Sequence, residues 1–352
     1  MRRMKGANDR SGRIRYLEGL RAIAIVAVVV IHAAITEWHE LPPGSARWEA
    51  LNWINSVLRF CVPVFFMISG ALFLAPEREL SLRTLWRRNI PRLLVAFACW
   101  SLFFALVEVY GPGGSRDLGE LAQRFFTGHF HLWFLLALTG MYLVLPLLRA
   151  IVRDRATAWY FVALAGPFAF VLPLLEHLPV VGEVLSEVLG TMRVQLVLGY
   201  SAYFVLGHLL SRIELSRGRL RWIAATGALG AASTGLGTSL VSRAEGASDE
   251  LFLDFLPPGV ALASVAVFCL ARACWRDERG RLPPIAAALA ANSLGIYLVH
   301  PFFQWVYRQF GITSEFATPL VSVPLLAVLV LIPSLAVSVL LRRIPGARRV
   351  VA

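Results

Sequence analysis

Apolar stretches of about 20 residues recur along the whole chain, and short segments rich in arginine separate them. A helix of about 20 apolar residues is long enough to cross the hydrocarbon core of a bilayer. The pattern therefore predicts an all-α, polytopic membrane protein with about ten transmembrane helices. The predicted spans cover approximately residues 15–36, 51–75, 87–110, 131–149, 157–175, 193–211, 221–242, 253–273, 285–307 and 319–341.

The basic residues alternate between rich and poor segments, which predicts the orientation of the spans. Of the 34 lysines and arginines, 26 fall in segments on one side, six fall in loops on the other side, and two lie within spans. Because basic residues remain on the cytoplasmic side, both termini are predicted to be cytoplasmic. The chain is expected to form a single integral-membrane domain over residues 1–352, with basic tails at 1–14 and 342–352.

The composition excludes several classes of function. Charged residues make up 16% of the chain, against about 25% in soluble domains. The net charge of +12 is spread over the short segments between spans, so the expected partner is the lipid bilayer and not a nucleic acid. The four cysteines have no zinc-site spacing, and no metal site is predicted. The motifs of zinc hydrolases, serine hydrolases and ATPases are absent from the sequence.

The first span contains two polar residues that share one helical face. Arg21 and His32 are eleven residues apart, which is three turns, about 16 Å along the axis and an offset of about 20°. Charged groups at membrane depth usually face an internal cavity. Histidine can transfer a proton at neutral pH, and arginine can bind an anionic or carbonyl group. The alternative is that Arg21 extends to the lipid headgroups and His32 forms an interhelical hydrogen bond.

Two further groups of polar residues are candidates for binding. The first group lies toward the outer ends of several spans and predicts a polar chamber for an acceptor; its members are Arg59, His131, Trp133, Tyr297 and His300. The second group follows the second span and is suited to binding phosphate groups; its members are Arg87, Arg88 and Arg92. A basic anchor at the cytoplasmic membrane surface is the alternative for the second group.

Five segments, in order, resemble the integral-membrane acyltransferase-3 family, especially its surface-polysaccharide O-acetyltransferase branch. They are Leu17–His32, Val62–Leu74, Arg87–Arg92, His131–Leu138 and Asn292–Pro301. The resemblance implies that His32 is catalytic, that Arg21 is essential, and that Arg88 and Arg92 help to bind the acyl donor. The chain has Glu18 where the family often has aspartate, and Pro91 lies between Arg88 and Arg92.

The resemblance implies O-acetylation in the cell envelope. An acetyl or other acyl group would pass from cytoplasmic acetyl-CoA to a hydroxyl of a cell-surface saccharide or glycolipid. Acetyl-CoA would be a co-substrate, with no permanently bound cofactor, and the enzyme would be a multi-pass protein of the bacterial inner membrane. His32 would act as a general base or through an acyl-histidine intermediate. The acceptor, the acyl chain and the formation of a homo-oligomer stay open.

Two alternatives to an acyltransferase remain at this point. A transporter or flippase for a lipid-linked sugar or another amphiphilic solute would also place arginine and histidine within its spans. The sequence has no pair of interrupted spans in two corresponding halves, which is the usual indication of such a protein. A subunit that anchors a biosynthetic complex is the third alternative, but it leaves the shared face of Arg21 and His32 unexplained.

Overall fold

The computed structural model describes residues 3–78, 80–175, 199–275 and 282–347, together with positions 182 and 351. Helices make up the regular structure of these ranges, and no strand occurs in them, so the predicted all-α class is confirmed. The main helices are α1 (Arg3–Ile35), α2 (Ala46–Leu58), α3 (Cys61–Phe73), α4 (Ile90–Tyr110), α5 (Leu118–Thr127), α6 (Trp133–Ile151), α7 (Arg155–Ala165), α8 (Tyr200–Arg212), α9 (Arg217–Glu245), α10 (Pro258–Cys274), α11 (Pro284–Ala291), α12 (Ser293–Gln309) and α13 (Pro319–Arg343).

Short helical segments join or extend these helices. A helical turn at Leu82–Thr84 and a π-helical turn at Leu85–Asn89 lead directly into α4, and a second π-helical turn, Gly166–Val171, and the helix Leu172–Leu175 extend α7. Single 3₁₀ turns occur at Trp38–Glu40, Leu251–Leu253 and Ser314–Phe316.

Seven segments of the described residues are long and apolar enough to cross a membrane, and α11 with α12 makes an eighth if the pair is one span. The described part of each predicted span falls mainly on one helix or on two consecutive helices, and the multi-pass membrane architecture is confirmed. The predicted span 193–211 lies partly outside the described residues. The span 221–242 falls on α9, where many glycine, alanine, serine and threonine residues lower the hydropathy. The count of ten stays a prediction.

Helix α1 is the centre of the bundle. It packs against α2, α3, α10, α11, α12 and α13. Leu20, Ile25 and Val29 of α1 are completely buried. A helix that is apolar on almost every side is suited to such a central position. The polar residues of its remaining face are thereby placed inside the bundle.

Helices α3 and α8 approach each other closely through two glycines. A Cβ atom on Gly70 would lie 1.9 Å from the carbonyl oxygen of Phe204, and one on Gly207 would lie 2.0 Å from that of Met67. Small residues allow this approach of two backbones within a membrane, where van der Waals packing drives helix association. The contact fixes α3, which supplies one wall of the cavity described below.

Three breaks in the helices border one internal cavity. Residues 59 and 60 separate α2 from α3, residues 128–132 separate α5 from α6, and Asn292 separates α11 from α12, whose axes differ by 82°. Residues at or beside each break line that cavity. Non-helical backbone within a membrane protein is tolerated where it is buried in protein or lines a water-filled cavity. The breaks thus identify the interior where polar groups collect.

Candidate active site

One cavity of about 630 Å³ extends through the centre of the described helices. We call the part at Arg78, Arg88 and Arg92 the arginine end, and the part at His32 and His131 the histidine end. Among the described residues, the arginines that line the cavity are Arg21, Arg59, Arg78, Arg88 and Arg92, and no aspartate or glutamate lines it. The lining is therefore strongly positive and suited to an anionic ligand.

One face of α1 supplies residues at both ends of the cavity. Arg21, Val28, Ile31 and His32 all line it. The helical rise separates Arg21 from His32 by about 16 Å along the axis. Arg21 lines the cavity and lies within electrostatic range of Tyr142, Glu18 and Arg78. Arg21 and His32, which the sequence predicts on one face of a helix, therefore both line the same cavity.

Only some of the basic residues in and after a π-helical turn face the arginine end. Arg88 and Asn89 of the turn Leu85–Asn89 line the cavity, and so does Arg92 one turn later in α4. Arg87 does not line the cavity, and its binding of the donor stays a prediction. A π-helical turn has more residues per turn than an α-helix and shifts the direction of the side chains that follow.

Two residues of the arginine end were not predicted from the sequence. Tyr142 of α6 lies within electrostatic range of Arg21, Arg78 and Arg92. The guanidinium of Arg78 lies 4.3 Å from the centre of the Phe73 ring. Arg78 belongs to the same basic segment as Arg88, and this is the signal that would have identified it. Nothing in the local sequence distinguishes Tyr142 from an ordinary core tyrosine.

His32 is hydrogen-bonded to His300 across the bundle. Its Nδ1 lies 2.6 Å from Nε2 of His300, and the two ring planes lie within 20° of parallel with centroids 4.8 Å apart. His300 is fully buried and is not part of the cavity lining, in contrast to the expectation that it lines an acceptor chamber. His300 lies behind His32. It can act on a bound molecule only through His32.

The other residues expected in the acceptor chamber line the histidine end. His131 is 2% exposed, and its backbone carbonyl accepts a hydrogen bond from the hydroxyl of Tyr297. Trp133 stacks on Phe255 with ring centroids 5.4 Å apart. Since α12 carries both Tyr297 and His300, the bond from Tyr297 to His131 joins the wall of the cavity to the helix that supports His32.

The buried Arg59 lines the histidine end, but protein groups hold its guanidinium. Its Nε donates a hydrogen bond to the carbonyl of Leu253, Nη1 lies 3.4 Å from Oδ1 of Asn55, and the guanidinium lies 4.4 Å from the centre of the Phe255 ring. These contacts attach the connection between α9 and α10 to the break between α2 and α3. The geometry therefore favours a supporting role over the binding of an acceptor.

A chain of polar groups connects His131 to the surface. Nδ1 of His131 lies 2.7 Å from Nδ1 of His129, and Nε2 of His129 lies 3.5 Å from the carboxylate of Glu108. Glu108 also accepts a hydrogen bond of 2.5 Å from Arg124. Burial, and secondarily the charge of Arg124, lower the pKa of His129 from 6.5 to about 4. The alternating pattern His129-Phe130-His131 is the signal by which the sequence would have indicated His129.

A family model for the acyltransferase domain matches residues 14–343. The match includes residues 14–35 of α1 and every other helix that lines the cavity. Neither the curated proteins nor the solved structures contain a match to the chain. Within the described ranges, no three histidine, cysteine, aspartate or glutamate side chains are grouped so that they would hold a metal ion.

Proposed function

We propose that this chain, which belongs to the acyltransferase-3 family and is a membrane acyltransferase, uses cytoplasmic acyl-CoA as its donor. It transfers an acetyl or other acyl group from this donor to a hydroxyl of a cell-surface saccharide or glycolipid. The observation that carries the proposal is that one cavity is lined by Arg78, Arg88 and Arg92 at one end and by His32 at the other. Acyl-CoA has the complementary shape, since its charged phosphates are separated from its thioester by a long, flexible arm.

The arginine end is suited to the phosphates of the donor. Arg88 and Arg92 lie at the exposed mouth of the cavity, Arg78 lies beside them, and Arg21 lies deeper. Arginine is the preferred residue for phosphate because its guanidinium can donate two parallel hydrogen bonds. The pantetheine arm would extend past Arg21 along α1, which places the thioester near His32.

His32 would transfer the proton of the reaction. The acceptor hydroxyl loses its proton to His32, its oxygen forms a bond to the acyl carbon, the C–S bond breaks, and the thiolate of CoA receives the proton. In the other route, His32 first attacks the acyl carbon, the C–S bond breaks, and CoA leaves as the thiolate. The acceptor oxygen then attacks the acyl-histidine, its C–N bond breaks, and the proton of the acceptor hydroxyl passes to the thiolate. Arg21 would orient the donor in both routes. The side chains of Arg21 and His32 both lean toward the N-terminus of their helix, so they remain about 16 Å apart along the helix axis.

Transport of a lipid-linked sugar is the second candidate. The observation that favours it is the bend of 82° between α11 and α12, because interrupted helices form the substrate sites of many transporters. The family membership supports the acyltransferase, and the experiment below separates the two functions.

The test uses the purified protein in lipid with radiolabelled acetyl-CoA and with glycan and glycolipid extracts of its host. We expect label to appear in a saccharide, and we expect His32→Gln to lower the rate by about 10²- to 10⁴-fold, the usual contribution of a general base. Transfer by His32→Gln at the parent rate would contradict the catalytic assignment. Absence of transfer to every acceptor, together with movement of a labelled lipid-linked sugar across proteoliposomes, would establish transport.

The neighbouring arginines provide a matched pair for the donor site. Arg88→Gln is expected to raise the KM for acetyl-CoA by about tenfold, because it removes a cation from the cavity lining. Arg87→Gln removes the same charge from the same turn but outside the lining, so its KM is expected to equal that of the parent. Equal changes in the two variants would mean that only the general surface charge matters.

A further inference from the structure

His300 makes hydrogen bonds through both of its ring nitrogens. Its Nδ1 lies 3.1 Å from the backbone carbonyl oxygen of Ile296, one helical turn earlier in α12, and its Nε2 faces Nδ1 of His32 at 2.6 Å. A carbonyl oxygen can only accept a hydrogen bond. The hydrogen of a neutral His300 must therefore be on Nδ1, and its Nε2 carries a lone pair.

This arrangement determines the tautomer of His32. Since Nε2 of His300 is an acceptor, Nδ1 of His32 must donate and carries the hydrogen. The other nitrogen of His32, Nε2, is then an unprotonated base. A histidine whose tautomer is fixed in this way does not have to rearrange before it accepts a proton.

The surroundings hold His300 in place. The side chain is fully buried, and its helix is attached to the cavity wall by the hydrogen bond from Tyr297 to the carbonyl of His131. His131 directs its Nδ1 to His129, so that nitrogen does not compete with His32 for His300.

We propose that His300 is a positioning residue that holds His32 in the tautomer whose Nε2 accepts the proton of the acceptor hydroxyl. The inference rests on the proposed function. When the hydroxyl O–H bond breaks and the Nε2–H bond forms, His32 becomes a cation, and its Nδ1–H bond to His300 becomes charge-assisted and stronger. The Nε2–H bond then breaks as the thiolate of CoA takes the proton. In the acyl-histidine route the same lone pair is the nucleophile.

The kinetic test compares two substitutions at His300. His300→Met fills a similar volume and offers the Nδ1–H of His32 only a weakly accepting thioether, and it is expected to lower kcat by about 10- to 100-fold with the KM for acetyl-CoA unchanged. His300→Gln retains an acceptor oxygen and is expected to recover at least half of that loss on a logarithmic scale. His208→Met removes another buried histidine, outside the cavity lining, and is expected to leave kcat unchanged.

A second measurement does not depend on activity. In protein labelled with ¹⁵N-histidine, magic-angle-spinning NMR separates protonated from unprotonated ring nitrogens, and the signals of His32 are assigned by their loss in His32→Gln. We expect Nδ1 of His32 to be protonated and Nε2 to be unprotonated in the parent at neutral pH, and both tautomers to be populated in folded His300→Met.

The outcomes distinguish the inference from the function on which it rests. A protonated Nε2 on His32 in the parent, or an unchanged kcat in folded His300→Met, would overturn the role of His300 while transfer by the parent keeps the proposed function. Equal loss of kcat in His300→Gln and His300→Met would also overturn it, because packing alone would then explain both. Failure of the parent to transfer an acyl group to any acceptor would refute the function.

Discussion

His129 is expected to make the stability of the protein depend on acidity. It lies in the connection between α5 and α6, its side chain is 12% exposed, and its ring stacks on Phe104 with centroids 4.2 Å apart. Burial disfavours the charged imidazolium, and the cation of Arg124 disfavours it further, so the pKa falls from 6.5 to about 4. Glu108 would act in the opposite direction, but Arg124 already binds that carboxylate at 2.5 Å.

The sign of the effect follows from proton uptake by the unfolded chain. In the unfolded chain His129 gains a proton as the pH falls through about 6.5, whereas in the folded protein it does so only near pH 4. The unfolded state therefore binds more protons between these values, and the free energy of unfolding decreases as the pH falls. One pKa unit corresponds to about 1.4 kcal/mol, so the full loss from this residue is about 3 kcal/mol.

The assay is equilibrium unfolding in mixed micelles between pH 7.5 and pH 4, for the parent and for His129→Gln. Glutamine does not titrate, so the variant is expected to lose about 3 kcal/mol less stability than the parent over this range. His39→Gln is the control, because His39 is half exposed and pairs with Glu250 at the surface. Parallel curves for the parent and His129→Gln would refute the reasoning. A parent that gains stability relative to the variant on acidification would show that Glu108 outweighs burial.

Two further predictions concern packing around the cavity. Gly207→Ala places a Cβ atom 2.0 Å from the carbonyl oxygen of Met67 and is expected to lower the free energy of unfolding by about 1–3 kcal/mol. In the control Gly140→Ala the new Cβ atom meets open space, so the free energy of unfolding is expected to be unchanged or slightly higher. Equal effects of the two substitutions in the same unfolding assay would contradict the close contact. Arg59→Met leaves the carbonyl of Leu253 without its hydrogen-bond donor and is expected to lower the free energy of unfolding by about 1–3 kcal/mol, with the KM for the acceptor unchanged. A raised KM for the acceptor at an unchanged free energy of unfolding would instead assign Arg59 to acceptor binding.

The sequence alone determines the features that depend on local geometry. Runs of about 20 apolar residues must form helices in a bilayer because no other partner satisfies their backbone groups. The spacing of eleven residues between Arg21 and His32 places both on one face of a regular helix, and both line the cavity. The ordered motifs of the chain likewise identify its family before any contact between distant residues is known.

The tertiary structure decides which side chains of different helices meet. Arg87 and Arg88 are neighbours in one basic segment, and only Arg88 lines the cavity. His300 is a polar residue toward the outer end of its predicted span, as expected of the chamber, but the position of α12 against α1 places it behind His32. Such contacts join residues far apart in the chain. They depend on how helices cross and where they break, and the period of a single helix contains no information about either.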